Sequence, residues 1–117
     1  MIVDMERNDL SKICKTGSVK IDKLKKVEEY RDLFHYVTTI KGVIKNKMSN
    51  HDIISSLMPG GSVIGCPKIS TIQLLNRKEK FDRNIYTGSF GIIHSNGDMR
   101  FNIMIRTLLN FKNDIEL

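Results

Sequence analysis

The sequence is poor in cysteine, in aromatic residues and in long apolar runs. Its two cysteines, Cys14 and Cys66, lie far apart with no CxxC pair. That excludes a disulfide framework or a paired-cysteine metal site and points to reduced thiols in a cytosolic protein. Apolar runs are only a few residues long, which excludes a membrane-spanning helix. Met1-Ile2-Val3-Asp4 lacks the basic start and long apolar run of a signal peptide, so a cytoplasmic location is expected. Aromatic residues make up 7% of the chain, and the sequence holds no nucleic-acid motif, internal repeat or low-complexity segment. What is present is ordinary for a soluble globular chain: 40% apolar and 27% charged residues over 117 positions. This leaves room for one compact domain or part of a larger one. The net charge of +6 suits an anionic ligand or nucleic acid. The lysines from Lys12 to Lys47 and the basic residues of 77–83 are interrupted by acids, so they read as a solvated surface.

Along the chain, MIVDMERNDLSKIC reads as a helix, with Ile2, Met5, Leu10 and Ile13 near one face and Gly17 closing it. It has no Ser, Thr, Asp or Asn cap ahead of its apolar residues, as though the chain began inside a helix. SVKI, VEEY and FHYVTTIKGVI are rich in β-branched and aromatic residues and read as strands. Asn50 is placed to cap a short helix over 51–57. Pro67 is placed to open another, marked by Ile69, Ile72 and Leu75 at helical spacing. NIYTGSFGIIH and DMRFNIMIRTLL form a hairpin about Ser95-Asn96-Gly97-Asp98. In its second arm Phe101, Ile103, Ile105 and Thr107 alternate with Asn102, Met104 and Arg106. The fold class expected is α+β with mostly antiparallel pairing.

MPGGSVIGCPK, residues 58–68, is the stretch richest in chemistry-bearing types. It is not a P-loop. Gly60 and Gly65 have the right separation, but Cys66 and Pro67 follow where Lys and Ser/Thr are required, and Lys68 is displaced. Pro67 also removes a backbone N–H from the helix start that would hold the anion.

MIVDMERNDL at 1–10, HYVTTIKG at 35–42, MPGGSVIGCPK at 58–68, RNIYTGSFG at 83–91 and NIMIRTLL at 102–109 occur in a fixed order. Together they resemble the chorismate-utilising enzymes: component I of anthranilate synthase and of aminodeoxychorismate synthase, isochorismate synthases and salicylate synthases. Arg83-Asn84 before Tyr-Thr-Gly, and Gly97-Asp98-Met99 before Ile-Arg-Thr, most resemble the aminodeoxychorismate (para-aminobenzoate) synthase branch. The resemblance implies the chorismate-binding fold, with two antiparallel sheets facing each other and helices packed outside. It also implies that residues 1–117 form a partial chorismate-binding domain, truncated at both ends relative to the family.

The same resemblance assigns roles. His35 is similar to the family's histidine near the departing ring hydroxyl, a catalytic position suited to proton transfer near neutrality. Ser62, with Gly65 and Lys68, matches the substrate-binding wall built from the glycine-rich segment. Tyr86 is similar to the tyrosine that approaches the enolpyruvyl group. Arg106 is similar to the arginine whose planar fork holds the enolpyruvyl carboxylate. If Ser95-Asn96-Gly97 is a three-residue loop with Gly97 left-handed, Tyr86 counts opposite Arg106. A two-residue Asn96-Gly97 loop puts Thr87 there instead. His51 and His94 receive no role.

Some positions depart from the family pattern: Ile64 where Thr is usual, Cys66 where Ala is usual, and Ser11-Lys12 where Gly-Arg is common. They bear on specificity. Family members hold Mg²⁺ between two glutamates, which the resemblance places outside this chain; Glu116 does not match the second of these motifs. The expected partners are chorismate and a glutamine amidotransferase subunit that supplies ammonia. The expected reaction is amination of chorismate to 4-amino-4-deoxychorismate on the way to folate, with the chain alone inactive. The alternatives are anthranilate synthase component I, a non-catalytic remnant, and a basic module that binds nucleic acid. An incomplete sheet also implies self-association through exposed strand faces.

Overall fold

The structure, a computed structural model, describes residues 1–111 and 114–116. The Glu116 side chain lies outside the described residues. The chain forms two compact units, Met1–Leu57 and Met58–Leu117. Helices and antiparallel strands are mixed, in keeping with an α+β class. The strands form three separate two-stranded sheets.

In the first unit, α1 (Ile2–Ile13) buries Asp9 and Ile13, and it ends where Cys14 turns extended. Gly17 does adopt a left-handed φ of +75°, but it sits in the turn beyond the helix and does not cap it. Cys14 forms an isolated bridge with Ile44, framed by Lys15 N–H to the Val43 carbonyl (2.7 Å) and Lys45 N–H to the Ile13 carbonyl (2.9 Å). This crossing requires Gly42, because a Cβ there would stand 2.6 Å from the Cys14 sulfur. The Lys45 ammonium donates to the Lys12 carbonyl at 2.6 Å, closing one of the acceptors left open at the helix end. Helix α2 (Asn50–Leu57) packs on α1. Its cap is Ser49 and not Asn50. The Asp52 amide donates to the Ser49 hydroxyl (3.1 Å), and the Asp52 carboxylate accepts from the Ser49 amide (3.0 Å), a reciprocal capping box.

Lys20-Ile21 of SVKI and all of VEEY belong to one strand, β1 (Lys20–Tyr30). It pairs with β2 (Leu33–Lys41) across the Arg31-Asp32 turn. Two irregularities in β1, between Ile21 and Lys23 and between Lys23 and Lys26, each add one residue relative to β2. Lys25 takes a φ of +47° within the second. As a result Lys20, Lys23 and Lys26 pair with Lys41, Thr39 and Val37 and share one face, although three-residue spacing in a regular strand would alternate them. Glu28 opposite His35 extends that face. The other face carries Val27 opposite Tyr36 and Glu29 opposite Phe34, with Phe34 71% and Tyr36 78% exposed.

In the second unit, α3 (Gly61–Ile64) is a single turn and α4 (Lys68–Lys78) packs against it. The hairpin pairs β3 (Ser89–Ile93) with β4 (Met99–Ile103). His94 N–H donates to the Asp98 carbonyl, and Gly97 has a φ of +91°, so the loop is the three-residue Ser95-Asn96-Gly97. The Phe101 ring lies over Gly91, where a Cβ would come within 2.4 Å of it. The arms are shorter than expected: residues 84–87 form a turn and 104–108 are irregular. β5 (Leu109–Phe111) and β6 (Asp114–Glu116) complete the unit. Among the described residues, the buried apolar side chains are Ile13, Cys14 and Ile64.

Candidate functional site

The glycine-rich stretch of the second unit is a wall made mainly of backbone. Gly60, Gly61 and Ile64 are buried, and α3 closes with Gly65 N–H donating to the Gly61 carbonyl (2.8 Å). A Cβ at Gly60 would meet Ile103 of β4 at 3.6 Å, and Met58 accepts a hydrogen bond from Ser89 of β3. The stretch is therefore seated against the hairpin. Gly65 takes a φ of +104°, a conformation open to glycine, and its Cβ would crowd the Thr71 methyl at 3.2 Å. Ser62 stands half-buried on α3, and its hydroxyl has no hydrogen-bond partner among the described residues. Lys68 opens α4 and is half-buried. The resemblance therefore groups Ser62, Gly65 and Lys68 on one short segment.

Tyr86 and Arg106 lie where the hairpin ladder ends. Its last Cα pair is Ser89 with Ile103. Beyond it, Thr87 N–H donates to the Met104 carbonyl (2.9 Å) and Met104 N–H to the Gly88 carbonyl (3.0 Å). The turn is closed by Tyr86 N–H to the Arg83 carbonyl and Gly88 N–H to the Ile85 carbonyl. Asn84, Thr87 and Arg106 all have positive φ, at 48°, 64° and 51°. Of the two loops that the sequence leaves open, the three-residue one is present, but the direct opposition of Tyr86 and Arg106 that it implied is not. Left-handed residues on both arms end the ladder before it reaches them. Tyr86 is 56% exposed and helps line a depression of about 660 Å³ with Arg83, Met104 and Thr107. Arg106 is exposed, with no ion pair to a described residue.

His35 belongs to the first unit. It is exposed on β2, opposite Glu28, with its ring edge-on to Tyr30 at 5.8 Å. Glu28 also accepts from the Tyr30 hydroxyl (3.3 Å) and pairs with Lys26 (3.6 Å).

Sequence reasoning missed Arg83 as a site residue. Its guanidinium makes a two-point fork with Glu79, from Nε to Oε2 at 2.6 Å and from Nη2 to Oε1. Nη1 donates to the Thr87 hydroxyl (3.4 Å), and the group lies 5.6 Å from the centre of the Tyr86 ring. The hydrogen bond from Arg83 holds the Glu79 carboxyl below its usual range, and Glu79 in turn raises Arg83. The signal was the i,i+4 spacing of Glu79 and Arg83.

Among the described residues, no group of three or more His, Cys, Asp or Glu side chains stands close enough together to hold a metal ion. The described residues therefore do not offer the two-glutamate Mg²⁺ site that the resemblance implies. No described helix is long and apolar enough to cross a membrane.

Residues 1–117 match the chorismate binding enzyme family. The chain is 38% identical over 109 residues to an anthranilate synthase component I-like protein of Synechocystis sp., covering 93% of this chain and 22% of that protein. It is 38% identical over 108 residues to aminodeoxychorismate synthase component 1 of Bacillus subtilis, covering 92% and 23%. The crystal structure of anthranilate synthase component I from Streptococcus pneumoniae TIGR4 superimposes with a TM-score of 0.79 at 34% identity, covering 92% of this chain and 25% of that one. The chain thus spans about a quarter of the length of the relatives it matches. With five ordered motifs, a match over every residue and a shared architecture, this chain belongs to the chorismate binding enzyme family.

Proposed function

We propose that this chain is part of a chorismate-aminating enzyme. In the reaction ammonia replaces the ring hydroxyl of chorismate, giving 4-amino-4-deoxychorismate and water for folate synthesis. A glutamine amidotransferase subunit supplies the ammonia. The observation that carries the reading is the family match over residues 1–117. The Arg83-Asn84 and Gly97-Asp98-Met99 sequences favour amination without loss of pyruvate. The second reading, anthranilate synthesis with elimination of pyruvate, is favoured by relatives of that name at the same identity.

Chorismate is a dianion, and its recognition needs a forked cation, a polar wall and a proton-transfer group. In this reading Arg106 meets the enolpyruvyl carboxylate through two parallel N–H donors. Tyr86 lies against the same group. Ser62 offers its open hydroxyl to the ring hydroxyl, with Gly65 letting the backbone approach and Lys68 adding positive charge. For His35, in the first unit, the resemblance implies the proton transfer by which the ring hydroxyl leaves as water. The Mg²⁺ that the family resemblance implies would be held by carboxylates other than those described here and would supply positive charge toward the ring carboxylate.

The test replaces the matching segment of the Bacillus subtilis aminodeoxychorismate synthase component 1 with this chain, then assays products from chorismate, Mg²⁺ and ammonia. The expected product is 4-amino-4-deoxychorismate. Fluorescent anthranilate would establish the second reading, and the unfused chain is expected to turn over neither.

A further inference from the structure

We propose that Arg83 is a positioning residue for Tyr86, fixing the tyrosine ring through its cation and through Thr87 as well as bracing the turn on α4. The inference rests on the proposed role of Tyr86 in the substrate pocket. Three contacts converge on one guanidinium. The fork to Glu79 fixes its plane at the residue where α4 ends. A fork of this kind loses less freedom per hydrogen bond than a lysine contact would. The bond from Nη1 reaches Thr87, which is 6% exposed and left-handed at a φ of +64°. A β-branched residue is strained in that region and stays there only when its surroundings hold it. The third contact is the Tyr86 ring, 5.6 Å from the guanidinium carbon. Tyr86 itself is 56% exposed, so little packing fixes its orientation. Arg83 supplies what packing does not: a fixed charge beside the ring and a fixed turn beneath it.

The experiment uses the full chain with ¹³C-labelled tyrosine, whose ring signals come from Tyr30, Tyr36 and Tyr86 and are assigned with Y86F. R83Q, E79Q and the charge exchange E79R/R83E are compared with the parent chain by melting temperature and ring spectrum. R83Q and E79Q are expected to move the Tyr86 signal and leave Tyr30 and Tyr36 in place. The exchange is expected to recover melting temperature, because an ion pair is restored, but not the Tyr86 signal, because the cation and the Thr87 donor are gone. Recovery of both would overturn the proposal and make the pair a brace alone. An unmoved Tyr86 signal in E79Q would also overturn it, and E79Q carries the test where R83Q does not fold. Chorismate titration is a separate arm. R83Q should bind about two- to fivefold more weakly than the parent chain. If the parent chain binds no chorismate while the ring results hold, the substrate reading fails and the positioning role stands.

Discussion

Arg106 pairs an exposed charge with a backbone φ of +51°, a region that costs a non-glycine residue about 1 kcal/mol or more. Such strain persists where function selects the side chain over the backbone. Arg106→Gly is expected to relieve it, stabilising the second unit by up to about 1 kcal/mol, less what glycine's greater freedom in the unfolded chain takes back. The same change should weaken chorismate binding about tenfold or more, as loss of a charge-assisted fork does. Thermal melting and a chorismate titration check the two halves. The alternation of Phe101 to Thr107 led sequence reading to carry the strand through Arg106. The pattern holds for Met99, Phe101 and Ile103, which are half-buried, and breaks at Met104 and Ile105, where the half-buried residue is Met104. Periodicity cannot register a backbone reversal that keeps apolar residue types on both sides of it. The hairpin itself was legible, but its loop length was not, because a left-handed Gly97 suits both a two-residue and a three-residue loop.

At the scale of elements, α2 illustrates how a local contact becomes a pH dependence. The Ser49 hydroxyl and amide hold the Asp52 carboxyl below its usual value of 3.8. A depressed carboxylate contributes stability above its unfolded pKa, near 3.8, and that contribution is lost as pH falls through the lower folded value. Asp52→Asn is therefore expected to lower the melting temperature of the first unit at pH 6 and to leave it little changed near pH 2, by circular dichroism melts across that range. Sequence reading placed α2 correctly but chose Asn50 as its cap. Ser49 and Asp52 stand at the three-residue separation of a capping box, and that spacing was the better guide. The long strand β1 was harder to see. Its two inserted residues break the alternation between Ile21 and Lys26, so a pattern of period two finds SVKI and VEEY and loses the lysine-rich residues between them.

At the scale of the whole molecule, a composition 40% apolar leads to an expectation of an ordinary core, yet the buried apolar side chains described are only Ile13, Cys14 and Ile64. Composition counts apolar residues but does not say which polypeptide covers them. Phe34 and Tyr36 of the first unit, and Phe90 at 71% exposure in the second, stand on uncovered strand faces. The chain alone is therefore expected to self-associate, with a weight-average sedimentation coefficient that rises with concentration. Phe34→Ser with Tyr36→Ser should reduce that rise; an unchanged concentration dependence would remove the β1–β2 ribbon as its cause. The kinks in β1 have one more consequence. They interrupt that strand's outer row of amides and carbonyls, while β2 is the uninterrupted member of the pair and carries no acidic residue and one lysine, at its end. A newly arriving strand is therefore expected to add along β2, which would leave the lysine-bearing strand at the margin of whatever larger sheet is built.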